Sequence, residues 1–428
     1  MPERAVMATS GTTVAGFADT ALPGQRAAGR LPGERAAGRL PGETLRILGY
    51  GLGPVVLLGV LVLALLRFGP LGVFETAFPP VEELTIARIT LPSPNLMRVR
   101  VVNGGPEAVT VAQVLVDDAA WVHEIDGPRR IERLEDRTIT LPYPWVAGEP
   151  HAVTLVTSTG VTFTAEVAVA TQTPTADARY LGTFAVLGIY VGVLPVLLGL
   201  LWLPFLRRIG ARWLDFFLAF TVGLLAFLGV DAIDEALGTA AAVAGAYQGL
   251  GLVVLGFLGA ALTLSAVGKL PAVGGRAGTA TYLATLIALG IGLHNLGEGL
   301  AIGSAYGTGE VALGTFLVLG FLIHNTTEGL AIVAPLASGG VLLRRLIGLG
   351  LLAGLPTIAG AWIGGISYSP MLTTLFFAIG AGAIAQVVWE IGRALARAGN
   401  GGLGKPLPAA GFMLGMLVMY ATGLLVAA

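Results

Sequence analysis

His294-Asn295-Leu296-Gly297-Glu298-Gly299 and His324-Asn325-Thr326-Thr327-Glu328-Gly329 carry the same chemical groups at the same spacing, twice in one chain. In a helix of 3.6 residues per turn, positions i, i+1 and i+4 fall within about 100° of arc, so one imidazole, one amide and one carboxylate share a face. Two such helices facing each other supply two nitrogen and two carboxylate ligands, a set suited to a tetrahedral, zinc-like dication at roughly 2.0–2.2 Å. Glu298 and Glu328 cancel the double charge of such an ion, which lowers the cost of holding it away from water. The chain has no cysteine, which excludes thiolate metal sites, Cys nucleophiles and disulfides together. Zinc, iron(II), manganese, cobalt and cadmium all stay open, because geometry and availability rather than raw affinity set selectivity. Asn295 and Asn325 either add oxygen ligands or orient the others.

Both motifs lie inside apolar segments. Of the 428 residues, 55% are hydrophobic and 12% charged, against roughly 25% charge in a soluble domain; the chain reads as a membrane protein. Its 63 glycines suit close helix packing in lipid. A net charge of -1 leaves no basic surplus for phosphates, so nucleic acid is excluded as a partner. From Tyr180 to Ala428 eight apolar segments start near positions 181, 213, 248, 281, 311, 346, 372 and 408. The loops after the odd-numbered segments hold Arg207, Arg208 and Arg212, then Lys269 and Arg276, then Arg344 and Arg345, then Arg393, Arg397 and Lys405. The opposite loops, near 238–247, 306–311 and 367–371, hold no Lys or Arg, which orients the bundle with its C-terminus outside. Ionisable groups at membrane depth are costly and usually line a pathway. A doubled motif in neighbouring antiparallel helices fits an inverted-repeat transporter with its site near the midplane; the alternative is a pair of interhelical hydrogen-bonding sets that only hold the bundle together.

The rest of the chain divides by composition. Residues 1–45 contain a tandem repeat, Arg26 to Glu34 and Arg35 to Glu43, and no apolar run, so a disordered cytoplasmic tail is expected. Residues 46–70 read as an uncleaved transmembrane anchor, with Ile47 to Leu66 as its apolar core and six preceding arginines favouring an inside N-terminus. Residues 78–176 alternate in short β-branched stretches such as MRVRVV and VTVAQVLV between turn signals such as Asn103-Gly104-Gly105-Pro106, the pattern of a small β-sandwich outside the cytoplasm. In it, His123 and His151, with Asp117, Asp118, Glu124 and Asp126, form either a metal-capture surface or a set of solvated loop residues. The expected fold is therefore a mainly α membrane protein: an eight-helix transporter bundle over 180–428, preceded by the anchor and the extracytoplasmic β-sandwich, nine crossings in all.

Over about residues 180–428 the chain resembles the ZIP (Zrt-/Irt-like) metal transporters, whose fourth and fifth helices carry HNxPEG-like motifs. Gly299-Leu300-Ala301, Gly329-Leu330-Ala331 and Ala334-Pro335-Leu336 are similar to the stretches that follow those motifs. Gly223 through Asp231-Ala232-Ile233-Asp234-Glu235-Ala236 looks like the family's Gly-rich helix ending in an H-L-L-P-E-A type mouth, and Gly354 to Ala361 resembles its GLxEPxGA stretch. The chain departs from the pattern at three places: Gly297 and Thr327 replace Pro before each Glu, Asp231 replaces a frequent His, and Thr357 replaces a Glu that completes a second metal site.

The resemblance implies a non-enzymatic transporter that carries a divalent metal, zinc first, toward the cytoplasm of a cell-membrane protein. His294, Asn295, Glu298, His324, Asn325 and Glu328 would hold the ion. Asp231, Asp234 and Glu235 would form the mouth, where carboxylates concentrate cations, and Thr357, Gln386 and Glu390 would support the exit. With a neutral Thr357, two negative charges face one dication, so one tightly held ion is expected. The metal is cargo and no cofactor is implied. No GxxxxGK[ST] loop is present, which argues against direct ATP drive. The lipid bilayer and a homodimer partner are expected, and the partner of the β-domain is open. Two other classes stand beside this reading: an intramembrane metal hydrolase, disfavoured by Asn295 where HExxH needs Glu, and a sensory or adhesion protein whose β-domain is the functional part.

Overall fold

The computed structural model describes residues 41–68, 81–173, 175, 177–270, 279–308, 311–366, 369–397 and 402–424. The tandem repeat up to residue 40, the linker 69–80 and Arg276 lie outside them.

Among the described residues the N-terminal unit contributes one helix, Pro41–Phe68. It starts inside the stretch expected to be a tail, and it contains the whole run from Ile47 to Leu66. Among the described residues eight further helices, all after the β-strands, are long and apolar enough to cross a membrane, the number expected for the bundle.

Strand alternation between residues 84 and 167 builds two antiparallel sheets. One has the order β1-β2-β7-β5, from Leu84–Ser93, Leu96–Asn103, Asp136–Leu141 and Glu124–Ile125. The other has the order β4-β3-β8-β9, from Ala119–Trp121, Val109–Val116, His151–Thr157 and Thr162–Val167, with β6 (Arg130–Ile131) also paired to β3. Val99, Val101 and Ile139 from the first sheet share one core with Val111, Val114, Val153 and Leu155 from the second. The β3–β4 hairpin turns through Asp117 and Asp118, at φ of 51° and 64°. Without glycine, two left-handed residues in sequence need outside support.

The eight spans are Ala178–Leu206, Arg212–Ala240, Gly245–Gly268, Thr279–Gly307, Leu313–Ser338, Leu343–Ile366, Pro370–Arg397 and Pro406–Gly423, numbered here 1 to 8. Each starts within three residues of the position at which apolarity alone locates it. Spans 4 and 6 pack together, as do 5 and 1, 2 and 8, and 7 and 3, with span 2 also against span 7. Exchanging 1 with 6, 2 with 7, 3 with 8 and 4 with 5 turns this set of pairs into itself. The helices fall into two groups, 1/4/5/6 and 2/3/7/8, which meet chiefly where span 7 crosses span 4. There a Cβ on Gly380 would lie 2.9 Å from the His294 Cα.

The β-domain sits at the end of the bundle that holds the start of span 1, the connection between spans 2 and 3, and the end of span 6. Arg88 Nη1 donates to Ile366 O (3.2 Å), and Glu83 Oε1 accepts from the Gly245 N–H (2.9 Å). This is the end whose connections carry no Lys or Arg.

Candidate metal centre

Spans 4 and 5 run as unbroken helices through both motifs, so His294, Asn295 and Glu298 occupy one face, and His324, Asn325 and Glu328 another. Gly297 and Thr327, standing in place of Pro, leave the helices intact, and the Thr327 hydroxyl bonds back to His324 O at 2.6 Å. The glycine ending each motif has a steric reason. A Cβ on Gly299 would lie 2.1 Å from Thr357 O of span 6, and one on Gly329 would lie 2.2 Å from Val196 O of span 1. Each motif helix thus meets its flanking span backbone to backbone, and this presses the following helix face against its counterpart.

His294, Glu298, His324 and Glu328 each offer a ligand atom, and these atoms lie within 4.8 Å of one another. Ligands around one tetrahedral ion at ~2.1 Å stand about 3.4 Å apart, so binding would draw the most widely separated of these atoms together by roughly 1.4 Å. All four are under 5% exposed, and Asn295 and Asn325 are fully buried. Glu298 Oε1 accepts from His294 Nε2 (3.1 Å) and, closer still, from His324 Nε2.

The amides are crossed. Asn295 Nδ2 donates to Glu328 Oε2 at 3.2 Å, and Asn325 Nδ2 donates to Glu298 Oε2 at 3.1 Å. Their other donor contacts reach main-chain carbonyls: Asn325 to Val191 O (3.0 Å) and Asn295 to Ala353 O (3.2 Å). Both carbonyls sit where a flanking span is irregular. Span 1 has a π-helical turn at Ile189–Val193, and Pro195 lacks the N–H that would return to Val191 O; span 6 breaks at Leu355, just before Pro356. Neither carbonyl was anticipated from the sequence, although Pro195 and Pro356 inside apolar segments were the available signal.

Once these bonds are made, buried acceptors are left over. Among the described residues, Asn295 Oδ1, Asn325 Oδ1, Glu328 Oε1 and His294 Nδ1 have no hydrogen-bond partner. Buried polar atoms are normally paired, and two unpaired amide oxygens beside two carboxylates, one of which keeps a free oxygen, form a surface that suits a cation.

Of the remaining expected site residues, Asp231 lies within electrostatic reach of His294, His324 and Glu298, while Glu235 neighbours Asp231 and Asp234. All three acids are exposed, on the half of span 2 nearer the β-domain. Thr357 is fully buried, its Oγ1 unpaired, and a Cβ on Gly192 would lie 2.2 Å from that oxygen. Gln386 and Glu390 are not brought to the cluster; Gln386 Nε2 bonds Glu390 Oε1 at 3.3 Å further along span 7.

The metal-capture surface weighed for the β-domain is not formed among the described residues. His151 is 3% exposed and both its nitrogens are used: Nδ1 donates to Asp117 Oδ2 (2.7 Å) and Nε2 accepts from the Val146 N–H (3.2 Å). Asp117 also accepts from Tyr143 OH (2.7 Å) and the Ala152 N–H (2.9 Å), which pins the left-handed Asp117-Asp118 turn. Partial burial pushes the Asp117 carboxyl up, but bonds from His151, the Ala152 N–H and Tyr143 outweigh it and hold it below the usual range. Tyr143 is pushed up to about 12 by burial and by its bond to that carboxylate.

No family model matches the chain, and no curated protein matches it. The functional reading therefore rests on the residues and their geometry.

Proposed function

We propose that the bundle transports divalent transition-metal ions, with zinc the first candidate, through the site between spans 4 and 5. The observation that carries this reading is the buried set of two imidazoles and two carboxylates within 4.8 Å, beside acceptor atoms left unpaired among the described residues. A purely structural network would use its acceptors, and leaving them unpaired costs stability. The resemblance to the ZIP transporters supports the same reading, as does the repeated packing of spans 1–3 and 6–8 around spans 4 and 5.

On this reading the basic residues at one end of the spans face the cytoplasm of the cell membrane, the β-domain lies outside, and Pro41–Phe68 serves as an N-terminal anchor. Carboxylates in a span avoid lipid, so Asp231, Asp234 and Glu235 line a water-filled approach from outside. The ion exchanges its hydration shell for His294, His324, Glu298 and Glu328, whose two negative charges balance it. Asn295 and Asn325 hold those carboxylates in place and turn their own oxygens toward the ion. Release follows toward the cytoplasmic ends of the spans.

Uptake of zinc into proteoliposomes containing the purified full chain, with iron(II), manganese, cobalt and cadmium as competitors, tests the proposal. Saturable zinc uptake above that of empty vesicles, reduced by at least one competitor, is expected. Uptake equal to that of empty vesicles for every metal would overturn it.

A further inference from the structure

Glu83 and Arg88 each touch the bundle, and they touch different helix groups. Glu83 Oε1 accepts from the N–H of Gly245, at the start of span 3, in the group 2/3/7/8. Arg88 Nη1 donates to the carbonyl of Ile366, the last residue of span 6, in the group 1/4/5/6. Both bonds have one charged partner, the stronger kind, and a guanidinium also suits the negative end of a helix dipole.

The two residues are placed by different devices. Glu83 is fixed by the turn after β2. There the Gly104 and Gly105 N–H groups donate to Glu83 O at 2.9 and 3.2 Å, while the fully buried Asn103 braces the turn through Glu107 O, Ile131 O and the Gly105 N–H. Arg88 depends on a bulge. In a regular strand residues five apart point to opposite faces, but β1 shifts register against β2 between Ile86 and Arg88. The extra residue keeps Ile86 and Ile89 on the core side and Arg88 on the outward side with Glu83. Five residues at about 3.3 Å each set the two contacts roughly 16 Å apart, a span that reaches from one group to the other.

The side-chain bonds between spans that the described residues show at this end join helices of one group. Tyr180 OH to Gly365 O (2.9 Å) and Trp362 Nε1 to Leu181 O (2.9 Å) join spans 1 and 6, and Thr374 to Thr239 (3.0 Å) joins 7 and 2. We infer that the β-domain is a clasp, which ties the outer ends of the two helix groups together through Glu83 and Arg88 and sets their relative position. This concerns the fold and holds whatever the bundle carries, so metal uptake is not its readout.

The absence of cysteine allows clean labelling. Leu250→Cys in span 3 and Leu313→Cys in span 5 are exposed and lie one in each group at the clasped end. Spin labels there should give one narrow distance distribution in the otherwise unaltered chain. Glu83→Ala with Arg88→Ala should broaden it or add a second population, and Glu83→Gln alone, which keeps an accepting oxygen, should not. Gly245→Ala displaces the Glu83 carboxylate from the bundle side while leaving the sequence of the β-domain unaltered, because a Cβ there would lie 2.5 Å from Glu83 Oε1; it should broaden the distribution as well. An unchanged narrow distribution in both the double variant and Gly245→Ala would overturn the clasp.

Discussion

Histidine is buried beside carboxylate in two regions of this chain, with opposite bookkeeping of hydrogen bonds. In the β-domain, both nitrogens of His151 and both oxygens of Asp117 are engaged, by a tyrosine hydroxyl and two main-chain N–H groups as well as by each other. Between spans 4 and 5, His294, His324, Glu298 and Glu328 come together with Asn295 and Asn325, yet three oxygens and one nitrogen of the set stay unpaired. The same residue types brace a strained turn in one place and leave room for an ion in the other. Spare acceptor capacity separates the two.

The largest expected effect comes from removing charge at the bundle site. Glu298→Ala or Glu328→Ala leaves a dication half compensated in low dielectric, and uptake should fall to the background of empty vesicles while the protein still elutes as a folded species. Normal uptake in both variants would place the site elsewhere. Asn295→Ala and Asn325→Ala remove a hydrogen bond to the opposite Glu and the bond to a freed carbonyl. Outer-sphere losses of this kind cost ~10–100-fold in metal affinity, to be read by equilibrium zinc binding; an unchanged affinity would mean that the crossed amides do not position the carboxylates.

Neutralising Asp231, Asp234 and Glu235 together should raise the half-saturating metal concentration several-fold, with less effect on maximal rate, and added salt should shrink the difference. A fall in maximal rate alone would assign these acids a structural part.

The smallest effect belongs to the satisfied network. Asp117→Ala leaves buried His151 without its acceptor, and should destabilise the β-domain by roughly 1–3 kcal/mol, measured as faster amide exchange in β3 and β8, with zinc binding by the bundle unaltered. The Asp117 carboxyl sits below its ordinary value in the folded chain, so its contribution is present above the unfolded value near ~3.9 and drains as pH falls through the lower, folded value. Amide protection of the β-domain in the unaltered chain, corrected for the intrinsic exchange rate, should therefore fall on acidification below about pH 4. Asp117→Ala should lack that component, and an identical acid response in both proteins would remove Asp117 from the account.

Local pattern carried much of this architecture. Apolar length located all eight spans to within three residues, because a helix in lipid must satisfy its main chain internally over a fixed thickness. Alternation located the strands, whose inward residues recur every second position. The spacing of His, Asn and Glu placed each trio on one helix face, since helical geometry is fixed over four residues.

What the sequence determined by itself was thus which groups share a face and how deep in the bundle they lie, both consequences of repeating backbone geometry. The tertiary structure decided which atoms meet. Asn295 could not be assigned to Glu328, nor Asn325 to Val191 O, without the crossing of four helices. His151 could not be told from a ligand until Asp117 and the Val146 N–H, 34 and 5 residues away, were seen to occupy it. Hydrogen bonds depend on tenths of an ångström between residues distant in sequence. Those separations are set by close approaches such as Gly299 on Thr357 and Gly329 on Val196, which exist only once the whole bundle has packed.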